Sequence, residues 1–300
     1  MASNVIDLQI QSTASDGKHP PREIVQMARE NGLKVISITD HDTLVGVEPA
    51  LRAGQEFGIR VIPGIEMSVE EHGVHILGYG LDHNNPQLLQ ELEKSKYGRM
   101  EGAKKMVENL VGAGFTVEWG NVLQEATGGV VARPHIARAV LGRPENKEKL
   151  GGVTTVHDFI ETYLSDSGPN YVKRAHISAK DAIRLLHQAG GVAVWSHPAI
   201  HFKGNYEGLE EFLKELIGWG IDGVEVFNPS HTEDDTEFIN SLATKYNLLR
   251  TAGSDFHEAV VSARSPEGLH AAERVGDYET YGFSTEDIIS KLEEAIAAKR

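Results

Sequence analysis

Four apolar, strand-like runs in this chain end on residues that can hold a metal ion. Val35-Ile36-Ser37-Ile38-Thr39 leads into Asp40-His41-Asp42, and Val61-Ile62-Pro63-Gly64-Ile65 leads into Glu66. Val192-Ala193-Val194-Trp195-Ser196 leads into His197-Pro198, and Leu248 to Ala252 leads into Gly253-Ser254-Asp255-Phe256-His257. Strand ends converge on one rim when a parallel sheet closes into a barrel, so side chains distant in sequence can share one site. The first apolar run differs. Val5-Ile6-Asp7-Leu8-Gln9-Ile10-Gln11 carries a Gln-x-Gln where a pair of ligands would be expected.

Helix-like segments separate these runs. Pro20-Pro21-Arg22-Glu23 opens a helix through about Asn31, and Gly32 ends it; proline suits a first helical turn and glycine the residue past the last. A strand at 34–39, a helix near 46–57 and strands at 59–66 and 74–80 follow, an alternation that predicts a parallel sheet with helical crossovers. From Asn84-Asn85-Pro86 to about Arg174 the pattern becomes helical. Leu88, Leu89, Leu92, Met100, Ala103, Met106, Val107, Leu110 and Val111 recur at helical spacing until Gly112 and Gly114. Shorter helices are expected at 118–126, 134–141 and 154–164. The β/α rhythm resumes at Ser178-Ala179-Lys180-Asp181, which has the form of a capping box. Strands at 192–196, 223–227 and 248–252, helices near 207–218 and 233–246, and a last helix capped by Ser284 complete the set. The expectation is an α/β fold, a TIM-like barrel of seven β/α units from 1–85 and 175–300, with 86–174 as a helical insertion.

Three hundred residues allow one large barrel or two ordinary domains. The formal net charge of −15 argues against long duplex nucleic acid and anionic membranes as partners, although a local basic pocket could hold one phosphate. The chain has no cysteine, which excludes disulfides and thiolate metal sites and suits a reducing cytoplasm. Met1-Ala2-Ser3-Asn4-Val5-Ile6-Asp7 lacks the layout of a signal peptide, and no apolar run approaches a membrane span. A soluble cytoplasmic protein is expected.

Asp16, His41, Asp42, Glu66, His75, His197, Asp255 and His257 are the candidate ligands. Imidazole with carboxylate, and no thiolate, suits Mn, Fe or Zn better than Ca or Mg. Singly, each has an ordinary reading: His41 beside Asp40 could be a surface pair, and Asp16-Gly17 is a turn signal. Jointly they do not, because charged groups crowded on one rim repel unless something positive binds them. A multinuclear metal site accounts for the pattern.

Thr39-Asp40-His41-Asp42-Thr43, Pro63-Gly64-Ile65-Glu66, His75-Ile76-Leu77-Gly78-Tyr79, Ser196-His197-Pro198 and Gly253-Ser254-Asp255-Phe256-His257 resemble, in order, the motifs of the PHP (polymerase and histidinol phosphatase) family. The insertion with Arg133-Pro134-His135 resembles the branch containing nucleoside 3′,5′-bisphosphate phosphatases and 5′-to-3′ oligonucleotide exonucleases. The resemblance implies a distorted seven-stranded barrel and phosphoester hydrolysis with two to three divalent metals, Mn, Fe or Zn. It implies that Glu66, His75 and His197 hold one metal, and Asp16, His41 and His257 a second. A third would take Glu66 as a bridge, Asp255, and two histidines at the end of the first strand. This chain has Gln9 and Gln11 there instead, by engineering or by divergence. Glutamine offers one neutral carbonyl oxygen, a poorer ligand than imidazole for such metals. The third metal is therefore expected to bind weakly, or to give way to water or a harder ion.

On the same resemblance the substrate would be a phosphate monoester of a nucleotide or a short oligonucleotide. Glu66, His197 and Asp255 are the expected catalytic residues, with His197, His231 or Asp255 protonating the leaving oxygen. Arg133 and His135 are expected phosphate contacts, since a guanidinium fork matches phosphate geometry; the other reading of Arg133 is a cap or ion pair on the helix at Pro134. Arg143, Lys173 and Arg174 are weaker candidates. Asn228 and His231 could line the substrate pocket and Phe227 lie near a base, against a plain Asn-Pro turn. His72, His83, His157, His187, His201 and His270 are read as surface or structural. Two other functions compete: a nucleotide-binding, catalytically inactive PHP-like protein, and an amidohydrolase. The latter often needs a carboxylated lysine on a barrel strand, and no lysine stands at such a strand end here.

Overall fold

The computed structural model describes residues 5–126, 131–165, 168–172, 176–258 and 272–300. Strands β1 (Ile6–Asp7), β2 (Val35–Ile36) and β3 (Arg60–Val61) form a parallel sheet in the order β1-β2-β3. Strands β4 (Gly64–Ser68), β5 (His75–Tyr79), β6 (Val192–Trp195), β7 (Gly223–Phe227) and β8 (Leu249–Ala252) form a second sheet in sequence order. Ile62-Pro63 separates β3 from β4, where a proline without an N–H interrupts the ladder. The sheets meet at both edges. Leu8 N donates to the Ala252 carbonyl at 2.9 Å and Asp255 N to that of Gln9 at 2.9 Å, while Asp42 N donates to the Glu66 carbonyl at 2.9 Å.

Not every strand pair is parallel. β5 runs antiparallel to both β4 and β6, because residues 69–74 between β4 and β5 are too few for a helical crossover and can only make a hairpin-type return. This reversal has a functional consequence. His75 opens β5, yet it lies beside Glu66 on β4 and His197, which follows the end of β6.

The helices are α1 (Pro21–Glu30), α2 (Val47–Phe57), α3 (Pro86–Gly112), α4 (Trp119–Glu125), α5 (Arg133–Leu141), α6 (Lys147–Leu150), α7 (Val156–Phe159), α8 (Ala179–Gln188), α9 (Pro198–Phe202), α10 (Tyr206–Trp219), α11 (Glu233–Lys245) and α12 (Ile288–Lys299). Local chemistry explains their starts. Asn85 Oδ1 caps α3 by accepting from the N–H groups of Gln87 and Leu88, and Ser178 Oγ caps α8 by accepting from Asp181 N. Ser284 does not cap the last helix: α12 begins at Ile288 after Asp287, and Ser284 Oγ closes a turn by accepting from Glu286 N.

α3 spans two hydrophobic clusters. Its Leu88 and Leu92 pack in the main core with β4 to β7, whereas Ala103, Met106, Val107 and Leu110 pack with Phe115, Val122, Ile136, Val140, Phe159 and Leu164. A third cluster, including Ile10, Ile24, Ile36, Ile38 and Phe256, holds α1 and α2 against the first sheet. Among the described residues no helix is long and apolar enough to cross a membrane.

Candidate metal centre

Buried carboxylates first fix the loops that carry the candidate ligands. Asp40 accepts from Ser12 N, Ser12 Oγ and Ser15 Oγ, each at 2.7 Å, and so folds loop 12–17 around itself and presents Asp16. Gly17 is required in that loop, because a Cβ there would fall 2.3 Å from the Gln11 carbonyl oxygen. Asp7 does the same on the other side, accepting from Ser254 N at 2.9 Å, Ser254 Oγ at 2.6 Å and Gly276 N at 2.7 Å. Burial pushes both carboxyls up to about 6, with these hydrogen bonds opposing it. Backbone strain sits beside these loops: Asp42, His197 and Asp255 have φ of 50°, 28° and 51°, at about 1–3 kcal/mol each.

Glu66, 0% exposed, is the hub. His75 Nδ1 lies 2.8 Å and His197 Nε2 3.1 Å from its Oε1, and Ser196 Oγ donates to the same oxygen at 3.2 Å. Gln11 Nε2 donates to Oε2 at 2.6 Å and Gln9 Nε2 at 3.2 Å. His41 Nδ1 is 3.9 Å from Oε2. Beside this group, His257 Nε2 lies 3.6 Å from Asp16 Oδ1 and His257 Nδ1 3.9 Å from Asp255 Oδ1. Ligand atoms of Asp16, His41 and His257 lie within 4.8 Å of one another, as do those of His41, Glu66 and His75. The structure thus brings Asp16, His41, Glu66, His75, His197, Asp255 and His257 together, with Gln9 and Gln11 on the opposite oxygen of Glu66.

The residues fit a bound cation. Asp16 Oδ1, His41 Nδ1, His197 Nδ1 and Asp255 Oδ1 are all buried without a hydrogen-bond partner, an arrangement costly for polar atoms unless something occupies the space between them. Charge tells the same story. Burial opposes ionisation of Glu66 and Asp16, but neighbouring histidines (His41 foremost for both) hold each carboxyl well below the usual range. Burial pushes His41 down to about 4 against the pull of Glu66 and Asp16, so it is neutral and ligand-ready at pH 7.

His197 behaves oppositely. Burial alone would lower it, but the hydrogen bond and charge of Glu66 overcome burial and raise it to about 9. In the metal-free protein this coupling stabilises the fold fully below the unfolded histidine pKa of about 6.5, and the contribution is lost as pH rises through about 9. An ion bound through His197 would have to displace that proton, so Mn²⁺ affinity is expected to rise from pH 7 toward 9, by up to about tenfold per unit for each proton displaced. Calorimetric titration with Mn²⁺ across that range checks the point; an affinity independent of pH contradicts it.

Arg133 Nη1 donates to the Leu164 carbonyl at 3.3 Å, and its guanidinium lies 5.8 Å from the Tyr171 ring centre. Arg143 likewise meets Asn121 within the insertion. His135 is buried and faces the charge of Asp16; its Nδ1 accepts from Ala132 N at 3.0 Å, which leaves Nε2–H as a donor. Asn228 is buried and gives its amide to Gln9 Oε1 at 3.1 Å and Glu225 Oε2 at 3.0 Å. His231 is buried on the Val226 carbonyl with Nε2 unpartnered. Phe227 is not a base-facing residue but core, fully buried and packed near Phe283. Lys173, Arg174 and His270 lie outside the described residues.

Four residues escaped the sequence analysis. His201, read there as surface or structural, has its ring 5.6 Å from that of His197 and 6.3 Å from that of His75, with Nε2 buried and unpartnered. Its place four residues after His197 was the available signal. Glu225 accepts from His197 N at 3.0 Å from inside β7; a lone charge within Val224-Glu225-Val226 marked it. Ser196, next to His197, joins Gln9 and Glu66. Arg99, 5% exposed on α3, donates through Nε to Asp42 Oδ2 and through Nη2 to Ser68 Oγ, both at 2.6 Å. By contrast His187 pairs with Asp222 and Lys299, a structural role. A cavity of about 590 Å³, lined by Pro63, Leu81, His83, Gln188, Lys299 and others, contains none of these site residues and lies toward the opposite strand ends.

An α/β fold that gathers imidazoles and carboxylates around one buried glutamate defines a metal-dependent hydrolase type of site. The chain belongs to the PHP domain family, whose profile matches residues 7–226. It is 31% identical over 253 residues to a 5′-3′ exoribonuclease of Haemophilus influenzae, covering 84% of this chain and 89% of the relative. It is also 31% identical over 255 residues to a 3′,5′-nucleoside bisphosphate phosphatase of Chromobacterium violaceum, covering 84% and 87%. A solved structure from Chromobacterium violaceum, described as an amidohydrolase with bound sulfate and no metal, superposes with a TM-score of 0.82 at 29% identity, covering 97% and 96% of the two chains.

Proposed function

We propose that this protein is a metal-dependent phosphoesterase that hydrolyses a phosphate monoester of a nucleotide, of the 3′,5′-bisphosphate type, or of a short oligonucleotide. The observation that carries the reading is the set of unpartnered buried atoms on Asp16, His41, His197 and Asp255 around the ionised Glu66. The names of the two relatives support a nucleotide phosphate as substrate. We read the two sheets as one distorted barrel of seven β/α units, with β3 and β4 counted as one strand interrupted at Pro63. Residues 1–85 and 175–300 would form the barrel and 86–174 an inserted helical domain with its own core.

In this reading Asp16, His41 and His257 hold one divalent ion, and Glu66, His75 and His197 a second; Mn, Fe or Zn suits that donor set. Ions bound there supply Lewis acidity toward a phosphate oxygen and lower the pKa of water. The chain's own residues do the rest. Before an ion binds, Glu66 holds His75 and His197 beside it by accepting from both rings, Glu225 pins the His197 backbone, and Asp255 carries a buried oxygen with no hydrogen-bond partner. His135 would donate from Nε2 to a phosphate oxygen of the substrate. Arg133 would offer its remaining guanidinium donors to the same phosphate.

Turnover tests the proposal. Release of inorganic phosphate from a nucleoside 3′,5′-bisphosphate, dependent on Mn²⁺ and abolished by EDTA, is the expected result. Tight nucleotide binding with bound metal but no phosphate release would favour the inactive, nucleotide-binding reading instead.

A further inference from the structure

We infer that Gln9 and Gln11 act as a fixed pair of amide donors on Glu66, standing where a third cation would otherwise be held, so that the centre takes two divalent ions and not three. The inference rests on the metal-centre reading above and concerns only the Oε2 side of Glu66.

The orientation of the Gln9 amide follows from a chain of contacts that starts at a group with no ambiguity. A backbone N–H can only donate, and Ser230 N donates to Asn228 Oδ1 at 2.9 Å, joined by Ser230 Oγ at 2.6 Å. The other end of the Asn228 side chain is therefore its NH₂, which donates to Gln9 Oε1 at 3.1 Å and Glu225 Oε2 at 3.0 Å. Gln9 must then present its own NH₂ at the far end, and this donates to Ser196 Oγ at 2.9 Å and Glu66 Oε2 at 3.2 Å. A flipped Gln9 would set NH₂ against NH₂ at Asn228 and oxygen against oxygen at Glu66. Gln11 needs no such chain: its Nε2 meets Glu66 Oε2 at 2.6 Å, and its Oε1 lies at the other end, 3.2 Å from Ser15 Oγ.

Neither amide has an easy way out. Gln9 and Gln11 are both 0% exposed, so water cannot replace a broken bond. Gly253 packs so closely on Gln9 that a Cβ there would come within 2.4 Å of the Gln9 Cβ, which fixes the stem of the side chain. Gln9 Oε1, the only atom of that side chain suited to a metal, is held by Asn228 at the end away from Glu66. Two neutral N–H donors thus meet the oxygen that an ion would need.

Metal counting on the full-length protein tests this. Wild type and the double variant Gln9→His/Gln11→His would be saturated with Mn²⁺, freed of excess by gel filtration and analysed for metal per chain, with Mn²⁺-dependent thermal shifts as a second readout. Two ions in wild type and three in the double variant, with a larger Mn²⁺-dependent shift in the variant, are expected. Three ions in wild type, or a folded double variant that still holds two, overturns the inference. A wild type that retains no Mn²⁺ overturns the metal-centre reading itself, which is a separate result. Should the double variant not fold, anomalous scattering from wild-type crystals decides: an ion coordinated by Gln9 or Gln11 Oε1 overturns the inference, and ions confined to the histidine side of Glu66 support it.

Discussion

Glu66→Gln is expected to lower kcat/KM on a nucleoside 3′,5′-bisphosphate by roughly 10³-fold or more. It should also release most of the bound metal. The substitution keeps size and removes charge, so the effect isolates the electrostatic role of the hub. His75 and His197 both lean on Oε1, and Gln9 and Gln11 both donate to Oε2. A glutamine in that place would leave one amide group facing donors it cannot accept from. His197 would also lose the partner that raises it to about 9. Loss of any single histidine leaves the charge of Glu66 and the remaining ligands in place, so each should cost less than Glu66→Gln does. Steady-state kinetics in saturating Mn²⁺ and elemental analysis of the same preparations check this. Activity within tenfold of wild type would remove Glu66 from the centre of the account.

Arg99→Met should destabilise the fold by about 3–5 kcal/mol, because it leaves a buried carboxylate without its cation. Asp42 is buried and accepts from Arg99 Nε at 2.6 Å and from the backbone N–H of Ser68 at 2.9 Å. Burial alone would raise Asp42, but the Arg99 charge overcomes it and lowers the carboxyl below its ordinary value. A depressed folded pKa means the pair stabilises the protein above the unfolded value of about 3.9. That contribution is lost progressively as pH falls from that value through the lower folded pKa, so the gap between wild type and variant should begin to narrow under acid. Arg99→Met with Asp42→Asn should recover much of the loss, since the uncompensated charge is then gone. Urea unfolding at neutral pH and at about pH 3.5 measures both effects. An Arg99→Met variant within about 1 kcal/mol of wild type would show that the pair carries little. Because Arg99 sits between the halves of α3 that pack into different cores, the same variant should loosen the grip of the insertion on the His41–Asp42 loop.

The contrast between those residues shows what was legible in the sequence. His41, Glu66, His197 and Asp255 were found because each follows an apolar run, and strand alternation is a strong local signal. His75 was found by its motif, but its place at the start of β5 was not, because strand direction depends on a hairpin at 69–74 that carries no distinctive turn pair. Arg99 is one charged residue on a helical stripe with Leu92, Ala103 and Met106; nothing local says that such a residue turns inward to a carboxylate far away in the chain. The contacts of Arg133 with Leu164 and Tyr171 depend on how the insertion folds on itself, which no local pattern around Pro134 encodes. Asp7 and Asp40 looked like flanking acids, and only tertiary hydrogen bonds reveal that they shape the loops bearing Asp255 and Asp16.

Anomalous diffraction at the manganese edge, on crystals soaked in Mn²⁺, tests the central claim most directly. One peak is expected among Asp16, His41 and His257 and another on the Glu66–His75–His197 side, each within about 2.0–2.4 Å of its ligand atoms. Saturated crystals with no peak at either place, or with manganese only in the cavity near Pro63 and Lys299, would contradict it.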